Sequence, residues 1–291
     1  MNKNITEQKT VIYLGPAGSY TEIAAEKFVE RLGYNNFKFS SQSSILRVIQ
    51  SIDNNNNCIG VVPIENSIEG IVRESIDNLV KTTSRVLITQ EIVLPISHCL
   101  ISKATNISGI TKIMSISQAL AQCQHFIAKT FPNEMELIPA TSTSDAVRQL
   151  KDLPENYAAI GTYKASRIYG LNVIAEEIND EKDNLTRFVC LDSHIAESTG
   201  KDKTSIAFST CNKTGALADI LLAFKENGIN LSYIESRPSK KVFGDYTFFI
   251  DFDGHIEDEN VQKTIGKIAP LVRSYRFLGS YPKSGLAAFS G

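Results

Sequence analysis

The chain has 291 residues, of which 42 % are hydrophobic and 21 % are charged, and its formal net charge is −2. This composition is typical of a folded globular protein of about two domains and excludes a disordered chain. Without a basic block, nucleic acid is not expected as a partner. The polar start and the lack of a long apolar run indicate neither a signal peptide nor a membrane span, so we expect a cytoplasmic protein.

The five cysteines and four histidines are scattered along the chain and show no metal-ligand spacing. Most of the cysteines lie in apolar stretches, which predicts buried free thiols. We therefore expect no metal site.

Short β-like runs alternate with helical patterns through the first two-thirds of the chain, which is typical of parallel α/β sheets covered by helices. The predicted strands are VIYLG, FKFS, CIGVVPI, TKIMSI, MELIPA, YAAIG, LNVIAEEI and TRFVCLD. The predicted helices lie near 20–32, 43–53, 69–81, 117–131, 144–152 and 162–169.

The segment 85–102 is extended and has no helical period, which suits a crossing from one lobe to another. A return crossing is expected near 172–191, with hinges there and near 92–97. The first domain, 8–195, would then have two lobes and a cleft between them, although one continuous sheet is the alternative.

The polar stretch 196–203 is predicted to be a linker. The tail, 203–283, shows the β-α-β-β-α-β order of a ferredoxin-like domain, with helices at 215–226 and near 258–273 and a hairpin at 239–245. A small self-contained domain of this kind suits a regulatory role, which the fold alone does not establish.

Polar side chains gather at the starts of three predicted helices, each directly after a strand. Free backbone N–H groups at a helix N-terminus favour an anion, and hydroxyls add neutral donors. Each group is also a plausible plain helix cap. Together, on facing lobes, they would suit a small molecule with several carboxylates. The groups are Ser19, Tyr20 and Thr21, then Glu65, Asn66 and Ser67, and finally Thr141, Ser142, Thr143 and Ser144.

A fourth polar group, Thr186 and Arg187, interrupts the start of an apolar strand. The arginine is suited equally to an ion pair with Asp183 or Asp180 and to binding a ligand carboxylate. No nucleophile elbow, phosphate loop or zinc-protease motif occurs in the sequence. An enzyme with this sequence would work by positioning and hydrogen bonding.

The motifs GPAGSYTE, VPIENSIEG, QALAQC, YGL and NLTRF occur in this order, and TGALADILLAF, INLSYIESRP and YTFFIDFDGH follow in the tail. In this combination the chain resembles monofunctional prephenate dehydratase with a C-terminal ACT domain. The resemblance implies a two-lobed catalytic domain like the type II periplasmic binding proteins. It also implies conversion of prephenate to phenylpyruvate, water and CO2, without a cofactor.

The resemblance further assigns roles to residues. It implies Thr186, Arg187 and Phe188 as catalytic residues, with Thr186 donating to the leaving hydroxyl and Phe188 packing near the ring. The substrate-binding set is Ser19, Tyr20, Thr21, Glu65, Asn66, Ser67, Gln118, Ser142 and Thr143. One departure is that Ile116 and Ser117 stand where the family has a His-Pro pair.

In the tail, the resemblance implies feedback inhibition by phenylalanine bound between two ACT domains, and hence a homodimer or homotetramer. The residues implied are Gly215, Ala216, Leu217, Ala218, Asn230, Glu235, Ser236, Arg237 and Pro238. Two alternatives stay open: arogenate dehydratase, whose substrate has an amino group in place of the keto oxygen, and a two-lobed binding protein without catalysis.

Overall fold

The structure is a computed structural model that describes residues 8–33, 36–55, 57–81, 85–131, 135–210, 213–238 and 246–284. The expected hairpin at 239–245 and Cys211 lie outside these ranges. Within them, no helix is both long and apolar enough to cross a membrane. The fold class is confirmed: a two-lobed α/β region is followed by a ferredoxin-like domain. The expected domain limits and hinge movements stay predictions.

The first lobe begins with β1 (Lys9–Leu14), α1 (Tyr20–Leu32), β2 (Phe37–Gln42), α2 (Ile45–Asn54), β3 (Cys58–Asn66), β4 (Gly70–Ile71), α3 (Arg73–Lys81) and β5 (Leu87–Pro95). The second lobe contains β6 (Cys99–Ser102), β7 (Lys112–Ser115), α4 (Ser117–Ala121), α5 (Gln124–Thr130), β8 (Glu136–Pro139), α6 (Thr143–Gln149), β9 (Tyr157–Gly161), α7 (Tyr163–Tyr169) and β10 (Asn172–Ala175). The chain then returns to the first lobe as β11 (Leu185–Asp192). The C-terminal domain contains β12 (Asp202–Thr210), α8 (Ala216–Glu226), β13 (Leu231–Pro238), β14 (Tyr246–Asp253), α9 (Glu259–Ile268) and β15 (Val272–Pro282).

Both lobes contain the parallel strand pairs that the sequence predicted, and antiparallel strands that it did not predict make the two sheets mixed. The strand orders are β2-β1-β3-β11-β5 and β10-β6-β9-β7-β8. Strand β11 runs antiparallel to β3 and β5, and β6 runs antiparallel to β9 and β10. These strands directly follow extended crossings between the lobes. A parallel neighbour in one sheet needs a covering crossover, usually a helix, and these connections have none.

The helix predicted near 117–131 is two helices, α4 and α5, separated by Gln122 and Cys123. Cys123 leaves the helical region at φ −127° and ψ 20°. The interruption turns the chain, and the Gln122 side chain reaches the other lobe, where its Nε2 lies 3.4 Å from Glu69 Oε1.

The two crossings between the lobes run beside each other and share backbone hydrogen bonds. Ile96 donates to the Asn184 carbonyl at 2.8 Å, and Ile178 donates to the His98 carbonyl at 3.0 Å. The region between β5 and β6 is therefore held against the region between β10 and β11. The lobes also touch directly, because Thr162 Oγ1 donates to the Gly18 carbonyl at 2.6 Å.

The C-terminal sheet has the order β13-β14-β12-β15, and all its neighbouring strands are antiparallel. Helices α8 and α9 cover one face, where Phe208, Phe224 and Phe252 form a separate core. The other face packs against the first lobe. There, Phe249 and Leu278 belong to the same hydrophobic cluster as first-lobe residues, among them Ile12, Ile45, Val48, Ile49, Ile52, Ile64 and Ile88. The two parts share a core, so the tail is not the self-contained appendage expected from the sequence.

The two parts approach each other closely at Gly279 on β15. Its φ is +142°, and a Cβ built there would lie 2.1 Å from the Ile88 carbonyl oxygen on β5. A side chain at this position would push the sheets apart.

We predict that Gly279→Ala lowers the free energy of unfolding by about 2–4 kcal/mol, because the methyl group must displace packed backbone. Gly266→Ala is the matched control, since Gly266 lies in α9 with open space around it. It should raise stability by about 0.5–1 kcal/mol. Chemical denaturation of the two variants checks the prediction, and equal stability would show that the close approach is not a real constraint.

Candidate active site

Asn66 and Thr186 lie opposite each other at the ends of two neighbouring strands. Asn66 ends β3, Thr186 is the second residue of β11, and the antiparallel register makes them direct partners. Both are nearly buried, with exposures of 9 % and 8 %. The polar end of VVPIEN thus lies beside the TRF stretch, which is more than 100 residues away in sequence.

Two backbone groups fix the orientation of the Asn66 amide. The N–H groups of Ile68 and Glu69 both donate to Asn66 Oδ1, at 3.0 and 2.9 Å. A backbone N–H can only donate, so the oxygen must face the turn and the NH₂ group must face β11. The NH₂ group donates to Thr186 Oγ1 at 2.8 Å and to Asn184 Oδ1 at 2.7 Å. Thr186 therefore accepts from Asn66, and its own O–H proton is left to donate elsewhere.

The same reasoning extends across the cleft to the second lobe. Asn184 uses its oxygen as an acceptor for Asn66, so its NH₂ group donates to Gln122 Oε1 at 3.1 Å. Gln122 Oε1 also lies 3.3 Å from His98 Nε2, which must then carry the proton. This chain of amides sets the His98 tautomer, with Nδ1 as an unprotonated acceptor.

His98 lies in the crossing between the lobes and is 5 % exposed. Burial lowers its pKa, although the Gln122 hydrogen bond acts in the opposite direction, so the imidazole is neutral at pH 7. Its Nδ1 atom is buried and has no hydrogen-bond partner among the described residues. A buried acceptor without a partner costs roughly 1–3 kcal/mol, which suits a position that a ligand or water completes.

Several of the expected hydroxyl groups serve as helix caps. Ser19 Oγ accepts from Glu22 N at 3.3 Å and donates to the Leu14 carbonyl at 3.2 Å. Ser142 Oγ accepts from Asp145 N at 3.0 Å at the start of α6. The contacts of Ser19 and Ser142 are therefore those of helix caps, which was the alternative to ligand binding considered from the sequence.

The remaining residues of the expected substrate set occupy different environments. Tyr20 contacts the crossing, where its hydroxyl accepts from Ser97 N at 2.8 Å, and Thr21 is buried in α1. Ser67 joins β3 to β11 by accepting from Leu185 N at 2.9 Å. Gln118 and the partly exposed Thr143 lie at the starts of α4 and α6.

Arg187 points away from the cleft, towards the C-terminal domain. Its guanidinium lies 2.6 Å from Asp251 Oδ2, 2.8 Å from Glu91 Oε2 and 3.3 Å from Glu65 Oε2. Neither Asp183 nor Asp180, the ion-pair partners considered from the sequence, is among these contacts. With its charge already balanced by three carboxylates, Arg187 is not placed to bind a ligand carboxylate.

Phe188 is 2 % exposed and belongs to the core cluster with Phe28 on α1 and Val11 on β1. Its ring fills the space between the sheet and α1. The position does not support the expectation that Phe188 packs beside a substrate ring, because an apolar residue after Arg187 is explained by core packing alone.

The expected allosteric residues lie on α8 and β13. Gly215 precedes α8 with φ +82° and has open space at its Cβ position, and Ala216 to Ala218 form the first turn. Asn230 is exposed, and Glu235 and Ser236 lie on β13 before Pro238. Arg237 is engaged elsewhere: it contacts Asp77 Oδ1 at 2.8 Å and the Arg73 carbonyl at 3.1 Å, both on α3. It therefore links β13 to the first lobe.

Asn184, Gln122, His98 and Glu69 belong to the site, yet the sequence did not single them out. Asn184, Gln122 and Glu69 stand inside the motifs NLTRF, QALAQC and VPIENSIEG, whereas His98 lies in the extended segment 85–102. The amide side chains of Asn184 and Gln122 inside these motifs were the sequence feature that could have identified the hydrogen-bonding chain. Among the described residues, no group of three or more His, Cys, Asp or Glu side chains is arranged to hold a metal ion.

Comparison with known proteins gives the site its context. A family model described as prephenate dehydratase matches residues 11–196, and one described as ACT domain matches residues 204–270. The prephenate dehydratase of Methanocaldococcus jannaschii is 38 % identical over 281 residues, which cover 94 % of this chain and 98 % of that protein. The bifunctional chorismate mutase/prephenate dehydratase of Aquifex aeolicus is 39 % identical over 279 residues, covering 94 % of this chain and 74 % of that protein.

A solved structure agrees with these relatives. The prephenate dehydratase of Arthrobacter aurescens, crystallised in complex with L-Phe, superimposes with a TM-score of 0.84 at 32 % identity and covers 94 % of this chain and 90 % of its own. Sequence and fold lead to the same conclusion: the chain belongs to the prephenate dehydratase family and carries an ACT domain at its C-terminal end.

Proposed function

We propose that this protein converts prephenate to phenylpyruvate, water and CO2 in the cleft at Thr186. The observation that carries the assignment is the fixed amide of Asn66, which leaves the Thr186 O–H free to donate. The buried free thiols among the described cysteines suit a reducing compartment, and we place the reaction in the cytoplasm.

In the reaction, the bond between the ring and its carboxylate breaks, and the electron pair enters the ring. The bond to the ring hydroxyl breaks at the same time or afterwards, and the departing oxygen takes one proton. Thr186 donates to this oxygen as negative charge develops there. A threonine hydroxyl is too weak an acid to lose its proton unaided, so the proton it passes on is replaced from water.

The charge distribution around Thr186 suits a decarboxylation. A cation fixed on the departing carboxylate would stabilise the ground state more than neutral CO2 and so slow the reaction. The described side chains that form hydrogen bonds with Thr186, Asn66, Asn184 and Gln122 are neutral apart from Glu69. The guanidinium of Arg187 is bound to carboxylates, and its side chain points to the face of the strand opposite that of Thr186. Neutral hydrogen-bond donors around Thr186 therefore suit the binding of the departing carboxylate.

The direct experiment incubates purified protein with prephenate and follows phenylpyruvate by its absorbance in alkali. Parallel incubation with arogenate, with detection of phenylalanine, distinguishes the two dehydratase activities. Turnover of prephenate without added metal or nucleotide supports the proposal. Faster turnover of arogenate reassigns the substrate, and binding without turnover of either compound supports a non-catalytic binding protein.

We predict that Thr186→Ala lowers kcat by roughly 10²–10³-fold, because one hydrogen-bond donor to developing charge is lost. Thr186→Ser keeps the hydroxyl and should stay within about tenfold of wild type. Steady-state kinetics and thermal melting of both variants check this. A folded Thr186→Ala protein with nearly normal kcat would remove Thr186 from the mechanism.

We predict that Asn66→Asp lowers kcat about as much as Thr186→Ala does. An aspartate at this position can only accept, so Thr186 must donate to it and its proton is no longer available. Asn184→Asp is the matched control, because it has the same shape and charge change but keeps the acceptor that Asn66 uses. Kinetics should show a clearly smaller loss for the control, and equal losses would contradict the assigned donor direction.

We also propose that phenylalanine inhibits the enzyme by binding between the ACT domains of two subunits of a homodimer or homotetramer. The site would use the exposed helix start at Gly215 to Ala218, Asn230, and β13 from Glu235 to Pro238. Small residues there leave backbone N–H groups accessible to a carboxylate. Arg237 would contribute through its link to α3, since its charge is already paired with Asp77.

Gly215→Leu should abolish inhibition by phenylalanine while leaving turnover without phenylalanine unchanged. Gly228→Leu is the matched control, because Gly228 also has positive φ, open space and a position beside α8, at its opposite end. Both variants carry similar backbone strain, so only the loss of access at Gly215 should remove inhibition. Inhibition curves and isothermal titration with phenylalanine measure the difference, and equal behaviour of the two variants would place the effector elsewhere.

A further inference from the structure

The guanidinium of Arg187 connects the strand that carries Thr186 to the C-terminal domain. Arg187 directly follows Thr186 on β11, and the residue is 8 % exposed. From the C-terminal domain it is contacted by Asp251 Oδ2 at 2.6 Å and by the Tyr281 hydroxyl at 2.8 Å. Both partners are fully buried. The ACT domain therefore supplies two of the groups that surround a side chain next to the site.

The two C-terminal partners are themselves held by a third residue. Ser205 on β12 donates to Asp251 Oδ1 at 2.5 Å and lies 2.6 Å from the Tyr281 hydroxyl. Ser205, Asp251 and Tyr281 come from three adjacent strands of one sheet. Because every member is satisfied and buried, this group has a single well-defined geometry.

From the first lobe, Glu91 Oε2 lies 2.8 Å from Arg187 Nε, and Lys203 of β12 lies 3.0 Å from the same oxygen. Burial acts to raise the pKa of Glu91, but the Arg187 and Lys203 cations outweigh burial, so the pKa falls below its ordinary value. Glu91 is therefore ionised at neutral pH. Arg187 thus lies between the two buried carboxylates of Glu91 and Asp251, with the partly exposed Glu65 as a third partner, and Asp251 is the buried carboxylate that the C-terminal domain supplies.

The backbone around Arg187 does not hold it alone. The ladder between β11 and β3 pairs Thr186 with Asn66 and Arg187 with Glu65, and then shifts register so that Phe188 pairs with Pro63. Such an irregularity interrupts the ladder and redirects neighbouring side chains. On its other edge, β11 pairs with β5 without a break from Leu185 to Cys190, so the irregularity affects the β3 edge alone. At that edge the ion pair between Arg187 and Glu65 adds to the backbone ladder.

We propose that Asp251 and Tyr281 of the ACT domain are positioning residues for the dehydratase reaction. They hold Arg187, and through it they hold the end of β11 so that Thr186 meets Asn66. This inference rests on the proposed role of Thr186. It gives the regulatory domain a part in the basal reaction, independent of phenylalanine.

The test compares kcat and KM for prephenate in full-length Asp251→Asn and Tyr281→Phe. Each should lower kcat about tenfold, the effect of roughly 1.4 kcal/mol on a barrier, with KM within about twofold of wild type. Tyr281→Phe removes one hydroxyl only, so it remains informative if Asp251→Asn does not fold.

Two matched controls separate positioning from domain docking in general. Asp253→Asn changes a carboxylate on β14, the strand that also carries Asp251. Asp253 forms a partly exposed ion pair of 2.6 Å with Lys283 and does not contact Arg187. Asp77→Asn breaks a different contact between the domains, that with Arg237. Both should keep kcat near wild type.

A double-mutant cycle identifies the route. If Asp251 acts through Thr186, adding Asp251→Asn to Thr186→Ala should lower kcat no further. Wild-type kcat in both Asp251→Asn and Tyr281→Phe, equal losses in the controls, or additive losses in the double mutant would each overturn the proposal. A nearly normal kcat for Thr186→Ala alone would instead refute the proposed role of Thr186, so the two failures are distinguishable.

Discussion

Strand β11 enters the first lobe antiparallel between β3 and β5, and the arrangement of the site depends on this insertion. It places Thr186 opposite Asn66 and Arg187 opposite Glu65. Successive side chains of a strand point to opposite faces, so Thr186 faces the amides of the cleft while Arg187 faces the C-terminal domain. One strand that returns from the second lobe thus joins the three parts of the molecule.

The polar groups of the cleft form a directed chain of hydrogen bonds. Two backbone N–H groups orient Asn66, Asn66 orients Asn184, and Asn184 orients Gln122, which in turn sets the tautomer of His98. Each donor direction follows from the one before it, so the dipoles are fixed before a substrate arrives. Such preorganisation suits a reaction that needs hydrogen bonding to developing charge and little acid–base chemistry.

The ACT domain packs directly against the lobe that carries Thr186. One face of its sheet has its own core beneath α8 and α9, and the other face shares a core with the first lobe. The backbone of Gly279 touches that of Ile88, and buried charges cross the same boundary. A shift of the ACT domain would therefore act on a packed interface, and such interfaces change between discrete arrangements and do not deform continuously.

The sequence by itself determined the alternation of strands and helices, the βαββαβ tail and the position of Thr186 at the start of a buried strand. Local patterns carry this information, because periodicity and turn residues depend on neighbours in the chain. Local patterns do not predict which distant residues come into contact. Asn66 contacts Asn184 and Thr186, which are 118 and 120 residues away. Arg187 contacts Asp251 and Tyr281, which are 64 and 94 residues away.

The direction of β11, the break at Gln122 and the burial of Phe188 were likewise decided by tertiary structure. A strand has the same alternation in either direction, and an apolar residue fits a core as well as a ligand wall. The sequence also left open whether Arg187 binds a carboxylate of the ligand or of the protein. Only the folded chain decided this, because packing brings Glu91 and Asp251 to the guanidinium and excludes water from all three.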